Sequence, residues 1–180
     1  MVETARSSQI GVYRSRNEPY DQWIESIGIP IHRGYAFDDM REIEVAPWDE
    51  RGCNAAFLVL AGQEGIQETR ITEIPPGASL PPTRIAMEEI TYVVQGRGLA
   101  SVWAEPGSQQ RSFEWQTHSV FMVPPNYHCQ LSNAQGTQPA RLLHINYLPL
   151  AMSIVRDPDF FFANDYIKQY ILTYRRGIRK

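Results

Sequence analysis

Along the middle of the chain, apolar and polar residues alternate with the period of β-strands. Glu68-Thr69-Arg70-Ile71-Thr72-Glu73-Ile74 is the plainest run, and in such a run every second side chain shares a face. Strand-like segments follow at 89–94, 99–104, 111–115, 119–123, 127–132 and 140–147. Turn formers separate them, notably Gly96 and Gly98, Glu105-Pro106-Gly107-Ser108 and Asn133-Ala134-Gln135-Gly136. Short strands punctuated every ~8–12 residues predict an all-β sandwich or barrel.

The flanks read differently. Residues 1–19 are polar, with Arg6, Ser7, Ser8, Arg14, Ser15 and Arg16, and form an arm without a core of its own. Asp21 is placed to N-cap a short helix through Trp23, Ile24 and Ile27, with Gly28 ending it and Pro30 beyond. Strands are expected at 29–35, 41–45 and 55–60, with a loop at 47–52. Toward the C-terminus the period changes. Asp157-Pro158 forms an N-cap and N1 pair, and Ile167, Tyr170, Ile171 and Tyr174 follow helical spacing. The expected division is an arm with extension strands over 1–66, a barrel over 67–150, and a helix with a basic tail over 151–180.

Composition narrows the partners. A length of 180 residues suits one domain with a real core. The net charge of −3 and 21% charged residues call for no polyanionic partner. The tail residues Arg175, Arg176, Arg179 and Lys180 read as a solvated end, not a nucleic-acid site. No apolar run approaches the ~20 residues that span a bilayer, and Met1 to Arg6 lacks a signal-peptide core. Cys53 and Cys129 stand far apart without a C-x-x-C spacing. A reducing cytoplasm is therefore the expected location.

The run from Gly77 to Gly96 resembles the first motif of the cupin superfamily, G-x5-H-x-H-x3-4-E-x6-G. In that frame Thr83 and Ile85 take the two His positions, Glu89 the Glu and Gly96 the final Gly. The second cupin motif, G-x5-P-x-G-x2-H-x3-N, fits downstream. Pro124 and Asn133 match it, His118 and Asn126 take the Gly positions, and Cys129 takes the metal-binding His. Asn and His tolerate left-handed backbone better than most residues, so the turns can survive. The resemblance implies an all-β cupin double-stranded β-helix, a jelly-roll barrel, with an N-terminal strand extension and a C-terminal helix. The chain looks like one unit of two-cupin proteins such as gentisate dioxygenases and oxalate decarboxylases, and the resemblance implies a homodimer. It also implies a degenerate metal site, since three of the four ligand positions carry Thr83, Ile85 and Cys129.

Glu89, Thr91 and Val93 share a strand face, and in the cupin frame that face is the interior. Burial among Thr, Ile and Val is expected to raise the Glu89 pKa and poise it as a general acid or base. Glu88 is expected to face outward. Thr83, Ile85, Thr91, Cys129 and His144 are the expected pocket residues. Alternation lets only one of His128 and Cys129 face inward, and the motif frame selects Cys129. His32, His118 and Cys53 are read as structural, as are Met87, Tyr92 and Trp103.

Three functions fit these residues. One is a metal-independent isomerase, cyclase or lyase acting on a small organic molecule, with Glu89 as acid or base. Another is a dioxygenase or decarboxylase with a rebuilt Glu89/Cys129/His144 site for one divalent metal such as Fe, Mn, Ni or Zn. The third is a non-catalytic ligand-binding or scaffolding barrel. The aliphatic Ile85 favours the metal-free readings.

Overall fold

The structure, a computed structural model, describes residues 18–155 and 160–162. The chain opens with helix α1 (Pro19–Ile27). It starts two residues before the expected cap at Asp21, because Pro19 suits the first turn, where its missing N–H goes unused. Tyr20 and Ile24, four apart on one face, are buried, and Gly28 ends the helix at φ 78°. Strands β1 (Ile31–Gly34), β2 (Ala46–Trp48), β3 (Cys53–Leu60) and β4 (Glu68–Ile74) follow, with a 3-10 turn at Asp49–Arg51. The barrel continues through β5 (Thr83–Arg84), β6 (Glu89–Gln95), β7 (Arg97–Trp103), β8 (Arg111–Gln116), β9 (Val120–Val123), β10 (His128–Asn133) and β11 (Ala140–Asn146). Helix α2 (Leu148–Ile154) follows the last strand.

Two sheets form the barrel. One has the order β1-β3-β4-β11-β6-β9 with β2 on β3, and the other β5-β10-β7-β8. Among the described strands all pairings are antiparallel except β1 with β3. Phe57, Ile74, Val93, Ala100, Trp115 and Leu142 fill the space between the sheets, joined by Tyr20 and Ile24 from α1 and Leu148 and Met152 from α2. The fold is therefore all-β, a cupin-type jelly roll extended at its N-terminal side by strands that join the larger sheet.

The strand expected at 41–45 is not formed. Its backbone acceptors go to side chains instead: Arg141 Nη1 donates to the carbonyls of Met40 and Ile43 at 3.3 and 2.9 Å. His32 Nε2 bonds the Glu44 carbonyl at 2.8 Å. Alternation in Glu42-Ile43-Glu44-Val45 thus misleads, and the strand falls on Ala46–Trp48, where the loop at 47–52 was expected. The helix at Ile167 to Tyr174 and its cap at Asp157 lie outside the described residues. The C-terminal helix that is described, α2, begins with Leu148-Pro149, and the Asn146 side chain accepts from the Leu148 N–H at 2.9 Å.

Turn chemistry follows the motifs. His118 and Asn126, standing where the second cupin motif has Gly, adopt φ of 72° and 63°. Gly98 is required for a different reason. A Cβ there would collide with the Ser132 carbonyl and the Trp115 ring across the β7/β10 and β7/β8 pairings. Asn133, the last motif residue, is 3% exposed. Its Nδ2 donates to the carbonyls of Ile74, Pro75 and Gln138 at 3.2, 3.2 and 2.8 Å, and its Oδ1 accepts from Gln135 N at 2.9 Å. One amide thereby ties the β10 end to β4 and to the loop before β11. Among the described residues no helix is long and apolar enough to cross a membrane.

Candidate functional site

Register decides what meets inside the barrel. Across the larger sheet, Phe57, Arg70, His144, Thr91 and Phe121 stand opposite one another in successive strands. The next inward row carries Ala55, Thr72, Leu142 and Val93. In the smaller sheet Thr83 stands opposite Cys129. Arg70, Thr72, Thr83, Thr91, Cys129 and His144 from these rows border a cavity of about 60 Å³. All six residues expected at the site, Thr83, Ile85, Glu89, Thr91, Cys129 and His144, line it. His128 does not, and its ring stacks on Trp103 with centroids 5.4 Å apart and planes 9° apart.

The cavity wall holds a connected polar network. Arg70 donates through Nη1 to Glu68 Oε1 and through Nη2 to Glu89 Oε2, the latter at 2.8 Å. Asn146 Nδ2 bonds both carboxylates at 3.2 Å. His144 Nδ1 lies 3.0 Å from Glu89 Oε1 and 3.2 Å from Thr91 Oγ1. Its Nε2 lies 2.8 Å from Thr72 Oγ1.

Electrostatics sets the protonation states. Burial by itself would raise the Glu89 pKa, but the Arg70 guanidinium and the His144 ring hold it well below the usual carboxylate range. This reverses the expectation of a raised Glu89. At Glu89 the guanidinium and the imidazole together outweigh the cost of desolvation. Glu89 is therefore an ionised group and, at neutral pH, no acid. The raised carboxyl is Glu68, pushed up by burial against the opposing pull of Arg70. The Tyr20 hydroxyl acts on Glu68 without making a full hydrogen bond to its buried Oε2.

Burial lowers the His144 pKa, with Glu89 only partly offsetting it. The ring is thus neutral near pH 7, and since an ionised carboxylate can only accept, its proton sits on Nδ1. Nε2 is then the acceptor for the Thr72 hydroxyl. Cys129 is pushed up to about 12 by burial and by the Glu89 charge. Its thiol stays protonated and serves as an apolar wall, not as a nucleophile.

The metal-binding positions of a cupin do not suit a metal here. Thr83 and Ile85 offer no imidazole, and the Glu89 oxygens are engaged by Arg70, Asn146 and His144. The guanidinium of Arg70 already supplies a fixed positive charge beside Glu89. Among the described residues, no three of His, Cys, Asp or Glu type come together to hold a metal ion. Glu89, Cys129 and His144 share the cavity without forming the rebuilt metal site.

Periodicity and motif spacing did not single out Arg70, Glu68, Thr72 or Arg51. The first three carried a signal: Glu68, Arg70 and Thr72 are polar residues alternating along β4, so they share one face. A Glu89 placed inside the barrel calls for a buried cation, and Arg70 stands on that polar face. Arg51 carried no such signal, since it lies in a turn between two strands. Cys53, read as structural, also lines the cavity.

The two sheets and the cavity between them form one jelly-roll unit with an interior site. Its likenesses among solved structures are partial. Oxalate decarboxylase from Lactobacillus farciminis, in a formate complex, matches with a TM-score of 0.49 and 22% identity over 59% of this chain and 31% of its own. The Bacillus subtilis oxalate decarboxylase, which has Mn(II) centres, gives 0.47 and 21% over 56% and 27%. The cupin domain of Schizosaccharomyces pombe Cnp3 gives 0.48 and 18% over 61% and 66%. The chain thus spans about a third or less of each decarboxylase. No protein-family model matches the chain, and no curated protein does.

Proposed function

We propose that the protein binds a small organic molecule in the barrel cavity and moves a proton on it without a metal, as an isomerase, cyclase or lyase does. The observation that carries this reading is the Glu89–His144–Thr72 chain at the cavity wall. A neutral imidazole backed by an ionised carboxylate is a competent base, because the carboxylate stabilises the imidazolium that forms. His144 Nε2 takes the proton through the Thr72 hydroxyl: Thr72 Oγ1 accepts the ligand's proton as its own passes to Nε2. Glu89 keeps its charge throughout and holds the ring, so its part is to position His144. Arg70 keeps Glu89 ionised.

Hydrogen exchange tests the proton transfer whatever the product. The protein is incubated in D₂O with short-chain keto and hydroxy acids, and loss of their carbon-bound proton signals is followed by NMR. Wild type should accelerate exchange on at least one, while His144→Gln, shown to be folded by its dispersed NMR spectrum, should not. Exchange that persists in His144→Gln refutes the base assignment. A second reading, binding without conversion, is favoured by one fact: both Glu89 oxygens and both His144 nitrogens are already satisfied internally. It predicts ligand-induced shifts with no exchange in any variant.

A further inference from the structure

The charges of the cavity do not balance around each cation alike. Arg70 is matched by two carboxylates. Arg51 also lines the cavity, yet it makes no ion pair or hydrogen bond with any described residue. Its guanidinium carbon lies 5.3 Å from the Trp48 ring centroid and 5.6 Å from that of Phe162. Those faces suit a planar cation but offer its N–H groups no acceptor. Trp48 belongs to β2, and Phe162 is fixed by its bridge to Ile85 and by stacking on Trp23 at 4.9 Å. The guanidinium is thus held from two sides, and among the described residues its donors meet no acceptor. Burial and the neighbouring Arg70 charge both disfavour its charged form, and the Glu89 and Glu68 charges offset them only in part.

We propose that Arg51 makes this cavity a receptor for a small carboxylate, which the guanidinium grips while the apolar wall takes the rest of the molecule. Donors removed from water need acceptors, and a carboxylate matches the guanidinium fork with two parallel bonds. Glu89, the anion that would oppose an incoming one, has its Oε2 turned onto Arg70 at 2.8 Å. Cys129 and Cys53 are both held as thiols by burial. His144 is neutral. Among the described residues, no other cation on the wall lacks its counter-charge.

Volume restricts the class further. About 60 Å³ holds roughly four to six water molecules at 10–15 Å³ each, far below the roughly 300–1,000 Å³ of cavities for larger ligands. Formate, acetate and short keto or hydroxy acids fit within it. Leu80, Ile85, Met87, Val123 and Leu131 face the remainder of the ligand. The anion site shares the cavity with the proposed proton transfer but not its chemistry, so Arg51 holds a ligand whether or not His144 moves a proton.

The experiment is an NMR titration of the full chain with formate and acetate, with acetamide as the uncharged isostere of acetate. Acetate should give saturable shifts at the Arg51 side chain and at Thr83 and Leu131, and acetamide should give none in the same range. Arg51→Gln should weaken acetate about 10- to 100-fold, the loss expected for a charge-assisted pair. Arg111→Gln, on exposed β8, should match wild type. His144→Gln should still bind acetate, so loss of exchange with retained binding supports the anion site even as it separates that site from the base. Equal acetate affinity in Arg51→Gln, equal affinity for acetamide, or no saturable shift would each overturn the proposal. Should Arg51→Gln fail to fold, the comparison of acetate with acetamide on wild type decides the matter.

Discussion

Replacing Arg70 with Met tests the network on which the site is built. Arg70 is 9% exposed and is the shared partner of Glu68, 1% exposed, and Glu89, 9% exposed. Methionine fills much of the side-chain volume but leaves both carboxylates without their cation. Breaking a buried pair from one side costs about 3–5 kcal/mol, a large share of the roughly 5–15 kcal/mol that holds a domain together. For a chain of this size that lowers Tm by about 6–20 °C.

The pH dependence is more diagnostic than the loss. In wild type the Glu89 pKa is depressed in the fold below its ordinary 4.5. Its pairing therefore stabilises the protein above that pH, and the gain is lost only as pH falls through the folded value. Glu68 is raised, so its contribution is full below 4.5 and declines as pH rises through its folded value. Without Arg70, the Glu89 pKa moves upward, since burial is then opposed only by the His144 ring and the Asn146 amide. The deficit of Arg70→Met against wild type should thus be largest at about pH 7–8 and shrink toward about pH 5, where the carboxyls can take up protons. Urea unfolding at several pH values measures it. A variant within about 1 kcal/mol of wild type at every pH, well under the expected loss, would refute the assignment of Arg70 as the counter-ion.

Two other sites respond to the same physics of burial. Asn133→Ala removes an amide that serves four backbone groups, and leaving buried carbonyls unpaired should cost about 2–4 kcal/mol. Thermal or urea unfolding checks it, and Asn133→Asp should not rescue the loss, because a carboxylate cannot donate to three carbonyls. Cys129, pushed up to about 12, and Cys53, also raised by burial, should resist thiol reagents at neutral pH in the native state. Both should react promptly in guanidinium, as thiol counting with and without denaturant will show.

The architecture and part of the cavity lining were legible in consecutive residues. Spacing from Gly77 to Asn133 placed the strands because the β-period and its turns are local properties. His118 and Asn126 could be assigned to left-handed turns for the same reason. The inward facing of Glu89, Thr83, Ile85, Thr91 and Cys129 followed from alternation within a recognised frame. Protonation and pairing, by contrast, arose only in the folded arrangement. Glu89 read as a poised acid because its own strand offers only Thr, Ile and Val. The cation that reverses its pKa sits 19 residues earlier in sequence, on a strand not paired with its own. His144 gained its facing from register with β4 and β6, and Arg51 reached the cavity only because β2 and β3 carry its turn to the barrel. Charge acts through space while periodicity acts along the chain, so the fold was legible where the chemistry was not.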